Sequence, residues 1–283
     1  MNPTIIRMAE NFRWPEGRRI ALVFNIAYEA WSDGKAPGIG PMGNVLQPGF
    51  FDTNAHSWAS FGAIRGIDRL LGIVDRQKIK SSVMVNGALA ERYPESVKRI
   101  HEHGHEIVAH SWGMDVIPVY LDEMAERANL RRTREALAKA SGYIAEGWIS
   151  PRGTGSLLTP GMLAAEGFVW HGDCNDDDTP YLLDFGGRRL VGIPLTMDLN
   201  DLPLCVRYGQ APRVMIDMFD DTMRAIRDRE ARALLIDVTA HTHVFGRAAG
   251  AWVYETLIEK AKAMPDVWIT TRRDIARHVL TSV

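Results

Sequence analysis

A chain of 283 residues, 46% hydrophobic and 24% charged, carries enough apolar material for one large core and lacks the polar bias of disordered or fibrous proteins. Its formal net charge of −2 and pI near 6.5 supply no basic field for phosphate backbones, which excludes nucleic acid as a default partner and favours a small molecule. Arg7, Glu10 and Glu16 interrupt the N-terminus before a signal-peptide core forms, and no stretch approaches the roughly 20 apolar residues of a membrane span, so no membrane contact and a cytoplasmic location are expected. Cys174 and Cys205 stand far apart in no metal-ligand spacing and read as two free thiols.

Residues 19–27 form a nearly continuous apolar run, which predicts a strand buried on both faces, as in a parallel sheet. The segment from Trp31 to Phe51 carries Gly34, Pro37, Gly38, Gly40, Pro41 and Gly43 and reads as part of a long irregular loop at about 31–60. Loops of this length inside a domain usually serve function. Ile64, Ile67, Leu71 and Val74 then recur at helical spacing, Ser81 to Val85 reads as a strand, and Pro94 opens a helix toward Gly104. Strand Glu106 to Ala109 follows. Leu121, Met124, Ala125 and Ala128 mark one face of a helix ending near Gly142, and Gly147 to Ser150 resembles a strand end. Helix 158–166, strand 189–194, helix 211–229, strand 233–239, helix 249–263 and a strand from Val267 to Thr270 complete the alternation, with no internal repeat. Repeated β then α units predict an α/β fold with a parallel sheet, closed into a barrel or open. Asn25, Glu29, Asn86, His110, Arg152 and His241 gather just after strands, where the sites of such folds sit.

The segment Gly104-His105-Glu106-Ile107-Val108-Ala109-His110-Ser111-Trp112 resembles the second motif of the NodB-type polysaccharide deacetylases. The resemblance implies one domain over residues 1–283, a distorted (β/α) barrel. In that family an aspartate at the end of strand one and two histidines in a His-x-x-x-His pattern hold a metal, whose open position activates water. Here the strand-one motif falls on Val23-Phe24-Asn25-Ile26-Ala27, so Asn25 replaces the base and Ile26 the metal aspartate, while Met114 replaces the second histidine. Isoleucine cannot ligate, and a thioether suits soft metals. No cofactor is expected; zinc would require a site rebuilt around Glu29 and His110, with Asp115 or His56.

The chain resembles more closely the metal-independent allantoinases and the cyclic imide hydrolases. Tyr28-Glu29, Gly147 to Arg152, Asp177 to Tyr181, Ile193 to Asp201, His241 to Arg247 and Val267 to His278 carry that likeness in order. Ala27, Ser111 and His243 stand where the allantoinases have Asn, Gly and Arg, which opens the identity of the substrate. The expected activity is hydrolysis of a C–N bond in a cyclic amide, ureide or imide. A metal-dependent N-deacetylase of an acetylated sugar and an inactive ligand-binding member are the alternatives.

On an extended strand Asn25, Ala27 and Glu29 share one face, which makes Glu29 the candidate base. His110 is its candidate helper, since imidazole suits proton transfer near neutrality. His241 matches the family's general acid, and Arg152 its third-motif arginine, able to hold a carboxylate or an oxyanion through its fork of donors. Candidate substrate-binding residues are Asn25, Tyr28, Trp31, Asn86, Trp112, Asp198 and His243. Asp198, with Asn200 and Asp201, offers acceptors for ring N–H groups, while the aromatics, with Trp58, would wall the cleft. The acidic run Asp176 to Asp178 reads as a capped loop. The apolar segment from Trp31 to Trp58 is expected to pack on the barrel mouth or on a neighbouring subunit, hence a homo-oligomer.

Overall fold

A computed structural model describes residues 2–37, 46–47 and 49–282; Gly38, Gly40, Pro41 and Gly43 of the expected loop lie outside them. In chain order the elements are β1 (Thr4–Arg7), β2 (Ile20–Tyr28), α1 (Thr53–Phe61), α2 (Ile67–Arg76), β3 (Ser82–Val85), α3 (Gly87–Arg92), α4 (Pro94–Glu102) and β4 (Glu106–Ala109). They continue with α5 (Glu123–Ser141), β5 (Gly147–Trp148), α6 (Thr159–Ala165), β6 (Trp170–His171), β7 (Tyr181–Asp184) and β8 (Arg189–Gly192). The last are α7 (Val214–Arg229), β9 (Leu234–His241), α8 (Ala248–Lys262), β10 (Val267–Thr270) and α9 (Arg272–Ser282). Among the described residues no helix is long and apolar enough to cross a membrane.

The sheet runs β1-β7-β8-β6-β5-β4-β3-β2-β10, with β9 also paired to β2. Every pairing is parallel except those of β7 with β1 and with β8. Between β8 and β9 the ladder is replaced by an irregular segment: Thr239 N–H donates to Leu199 O at 2.9 Å and Asn200 bridges Thr239. The barrel is distorted at this seam.

Strand β2 shows why the interior is shaped as it is. Ile20, Leu22, Phe24, Ile26 and Tyr28 belong to the core facing the helices, whereas Ala21, Val23 and Ala27 belong to a second core with Met84, Val108, Trp170 and residues of α9. Alternation with period two puts Asn25 and the following Glu29 on the inner side. All nine residues of β2 are buried, as the unbroken apolar run requires.

Three expectations change. The irregular loop ends earlier than residue 60, because Asp52 caps α1 by accepting from Ala55 N–H at 2.8 Å. A π-helical turn, Gly62–Gly66, links α1 to α2, and a side chain at Gly66 would collide with the Thr242 carbonyl. The predicted apolar face of α5 points outward: Met124 is 81% exposed and Ala125 and Ala128 are exposed, while Glu126, Asn129, Leu130, Thr133 and Leu137 are buried. That buried face is partly polar because it fastens loops. The Glu126 carboxylate accepts from Ser156 Oγ at 2.6 Å and from Thr159 Oγ1, and Asn129 accepts from Trp112 N–H at 3.1 Å. Finally, Gly147 to Ser150 keeps strand pairing only at its first two residues.

Candidate active site

Glu29 follows the last residue of β2 and is 5% exposed, with three histidines around its carboxylate. His110 Nε2 lies 3.6 Å and His241 Nε2 3.4 Å from Oε1, and His243 Nε2 lies 4.0 Å from Oε2. These are ion-pair separations rather than closed hydrogen bonds. Two neighbouring groups fix the ring orientations. His110 Nδ1 donates to the Ile149 carbonyl at 2.6 Å, which turns Nε2 toward the glutamate. His241 Nδ1 donates to Asp201 Oδ1 at 2.6 Å, while Asp201 Oδ2 accepts from the backbone of His241 at 2.8 Å and of Phe245 at 2.9 Å. Asp201 thus holds both the ring and the chain at the end of β9.

Burial opposes every charge here, so the charges persist only because they face one another. Burial alone would raise the Glu29 carboxyl, but the His241 charge and then the adjoining His110 ring outweigh it and hold it well below the usual carboxylate range. Burial would likewise lower His241, yet Glu29 and Asp201 overcome it and push the imidazole up to about 10. His243 goes the other way: burial dominates and lowers it to about 3, so its ring is neutral. Its Nδ1 has no partner among the described residues, and its ring meets Trp31 and Trp58 edge-on at centroid distances of 5.4 and 4.7 Å.

Glu29, His110 and His241 line a cavity of about 200 Å³, together with Arg152, Arg207 and Asn200. Met84, Met114 and Leu195 supply apolar wall. A second cavity, of about 170 Å³, also reaches Glu29 and is lined by Trp31, His56 and Arg92. Arg152 sits in a turn whose start is held by Asp173, which accepts from Ser150 N–H and Oγ at 2.6 Å each. Arg152 and Ser111 adopt left-handed conformations, φ 62° and 61°, which L-residues avoid. Both flank the site.

Other candidates take different places. Tyr28 faces the helices and its hydroxyl meets Ser96 Oγ at 2.8 Å, since even positions of β2 point away from the barrel interior. Trp112 lies under the Arg132 guanidinium, 3.3 Å from its ring centre, and against Gly87, so it packs the wall instead of the cavity. Asp198 is exposed and lines neither cavity, its turn carrying it outward before Asn200 and Asp201 come back in. Asn25 lies beneath the floor, donating to Asp237 Oδ1 at 3.0 Å and Thr239 Oγ1 at 3.2 Å. Asn86 is a staple: its Oδ1 accepts from Ala30 N–H at 2.8 Å and its amide donates to the His110 carbonyl, tying the Glu29 and His110 strand ends together. Trp31 packs on the barrel mouth, as does Trp58. Asp177 caps its own loop by accepting from Thr179 N–H at 3.1 Å.

The donor set does not fit a catalytic cation. Ile26 is fully buried in the helix-facing core and offers nothing, and Met114 offers a thioether. Among the described residues the only His, Cys, Asp or Glu group with donor atoms all within 4.8 Å is Asp75, His103 and His105, so Glu29, His110 and His241 do not converge to that spacing. That group is itself closed by hydrogen bonds. His105 Nδ1 accepts from Ser81 N–H at 3.2 Å, which puts the ring proton on Nε2, donated to Asp75 at 3.1 Å.

The comparisons agree with this architecture. The sequence model of the family described as Polysaccharide deacetylase matches residues 62–166. A peptidoglycan deacetylase of Helicobacter pylori (strain ATCC 700392 / 26695) is 24% identical, over 87% of this chain and 92% of that protein. The crystal structure of Puue allantoinase superposes with a TM-score of 0.82 at 27% identity, covering 94% of this chain and 91% of the other. That of a probable polysaccharide deacetylase from Pseudomonas aeruginosa PAO1 gives 0.82 at 26% identity, covering 94% and 92%.

Proposed function

From a chain that carries a polysaccharide deacetylase (NodB) domain, and is thereby a hydrolase of that family, we propose an enzyme that opens a cyclic amide, ureide or imide without a metal. The observation that carries this reading is the meeting of Glu29 Oε1 with the Nε2 atoms of His110 and His241, at 3.6 and 3.4 Å, in the floor of a cavity of about 200 Å³. Such a volume suits one small ring better than a glycan chain, which needs an extended groove.

Two acceptors 3.6 Å apart, Glu29 Oε1 and His110 Nε2, are close enough to take both hydrogens of one water, whose lone pairs then face a ring carbonyl. Pairing with His241 weakens the glutamate as a base, so the His110 nitrogen shares the proton abstraction. Attack places negative charge on the carbonyl oxygen, where the Arg152 guanidinium offsets it. His241, already protonated between Glu29 and Asp201, gives its Nε2 proton to the departing nitrogen, and the proton held at Glu29 replaces it across 3.4 Å. Carbonyls of strained or doubly acylated ring nitrogens are more electrophilic than acetamides, so a catalyst lacking a Lewis acid has a smaller barrier to lower.

The test is ring opening of allantoin, hydantoin and succinimide by enzyme treated exhaustively with EDTA. Turnover that persists is expected; turnover abolished by chelation and restored by Zn²⁺ would favour a metal-dependent N-deacetylase of an acetylated sugar. The likeness to the Helicobacter pylori peptidoglycan deacetylase supports that second reading, while Ile26 and Met114 weigh against it.

A further inference from the structure

The reaction needs one cation near the developing oxyanion, and the cavity has two. Arg152 enters from the turn after β5. Arg207 enters from the seam between β8 and β9, as the last residue of a π-helical turn, Leu202–Arg207, that begins directly after Asp201. Some helix arginines elsewhere are neutralised, Arg127 and Arg131 by Glu166 and Arg227 by Asp266, while others, such as Arg134, donate only to backbone carbonyls. Among the described residues neither Arg152 nor Arg207 has a carboxylate within 4.0 Å. Both side chains are exposed where they line the cavity, within reach of an entering ligand, and the planar guanidinium fork matches a carboxylate with two parallel hydrogen bonds.

Building on the ring-opening reading, we infer that the natural substrate ring bears a carboxylate side arm held by Arg207, the residue that sets specificity, while Arg152 faces the oxyanion. The arrangement also fixes direction. An anionic arm is repelled by Glu29 on the floor and drawn to the rim, so the ring enters with its scissile carbonyl toward Glu29 and His110 and its arm outward. Met84, Met114 and Leu195 in the cavity wall leave apolar surface for the ring faces. One short segment, Asp201 to Arg207, therefore supplies both the orienter of the general acid and the anchor of the substrate.

The experiment compares hydantoin-5-acetate with its uncharged twin, hydantoin-5-acetamide, in wild type, Arg207→Gln and Arg207→Lys. Turnover and calorimetric binding are both measured. Wild type is expected to favour the acid over the amide by at least about tenfold, as a charge-assisted hydrogen bond allows. In Arg207→Gln that ratio falls toward one, and Arg207→Lys keeps part of it. A merely structural arginine would lower both compounds alike and leave the ratio intact. Equal treatment of acid and amide by wild type, or a ratio that survives Arg207→Gln, overturns the inference and leaves ring opening standing. If neither ring is opened, binding decides. An acid preference that depends on Arg207 keeps the anion site while ring opening fails, and no binding of either compound overturns the inference.

Discussion

The barrel holds two buried charged networks, one inside and one at the mouth, and they are built on opposite principles. Inside, Arg272 and Asp237, both side chains fully buried, meet at 2.6 Å; Arg272 also donates to the Ile193 carbonyl at 3.0 Å, and Asp237 accepts from Asn25 and Thr196 at 3.0 Å each. Alongside, Glu106 accepts from Ser82 Oγ at 2.6 Å, the Arg273 backbone at 3.0 Å and Trp170 Nε1 at 3.2 Å. Most acceptors and donors there are spent on one another, although Asn25 Oδ1 and Arg272 Nε have no partner among the described residues. At the mouth, Glu29 faces three histidines at 3.4 to 4.0 Å without closing a hydrogen bond to any of them. The inner network fastens strands; the outer one leaves Glu29 and the three Nε2 atoms open to one another, as the proposed reaction requires.

Breaking the inner network should cost the most stability. Arg272→Met strands Asp237 as a buried charge and is expected to lower unfolding free energy by about 3–5 kcal/mol, read from urea titration. A loss below about 1 kcal/mol would mean that the interior charges are not what holds this end of the barrel. Glu29→Gln should show the converse pattern, a fall in ring-opening kcat/KM of about 10²–10⁴ with a stability change near 1 kcal/mol. Unfolding of Glu29→Gln at the scale of Arg272→Met would erase the distinction between the two networks. Next in size, Asp201→Asn removes one of the two charges, with Glu29, that hold His241 protonated: its NMR titration should move down from about 10, with kcat/KM down about 10²-fold. An unmoved titration would place the control of His241 elsewhere.

Much of this was legible in residue order. The parity of β2 put Asn25 and Glu29 on one face, and ordered motifs brought His110, Arg152 and His241 to strand ends that share one cavity. The same parity excluded Tyr28, whose even position turns it to the helices. Other misplacements needed partners far along the chain. Trp112 looks like a cleft wall until Arg132, twenty residues on, covers it, and Asp198 looks equivalent to Asp201 until the turn beginning at Leu202 decides which carboxylate meets His241. Arg207 belongs to no motif, so only the folded seam brings it to Glu29. The α1 helix had a readable signal in Asp52, obscured by the glycines and prolines before it.

Acidity separates the networks once more. Folding raises His241 from 6.5 to about 10, so its contribution to stability is complete below pH about 6.5 and disappears as pH climbs through 10; Glu29, lowered by folding, contributes above its ordinary value of 4.5 and loses its contribution on acidification. Thermal unfolding of wild type should therefore fall between pH 7 and pH 10.5, and kcat/KM with it as the general acid is lost. Glu29→Gln should flatten the stability slope, and an equal slope in both proteins would assign it to other groups.

The smallest effect isolates backbone from charge. Arg152 holds φ at 62°, a conformation that costs an L-residue about 1–2 kcal/mol and glycine almost nothing, although glycine returns part of that through its freer unfolded chain. Arg152→Gly is thus expected to stabilise the fold by about 0.5 kcal/mol while lowering kcat/KM, whereas Arg152→Ala lowers kcat/KM equally with no gain in stability. Stability that drops in Arg152→Gly would show that the guanidinium packs as structure, and the mouth would then share the closed character of the interior.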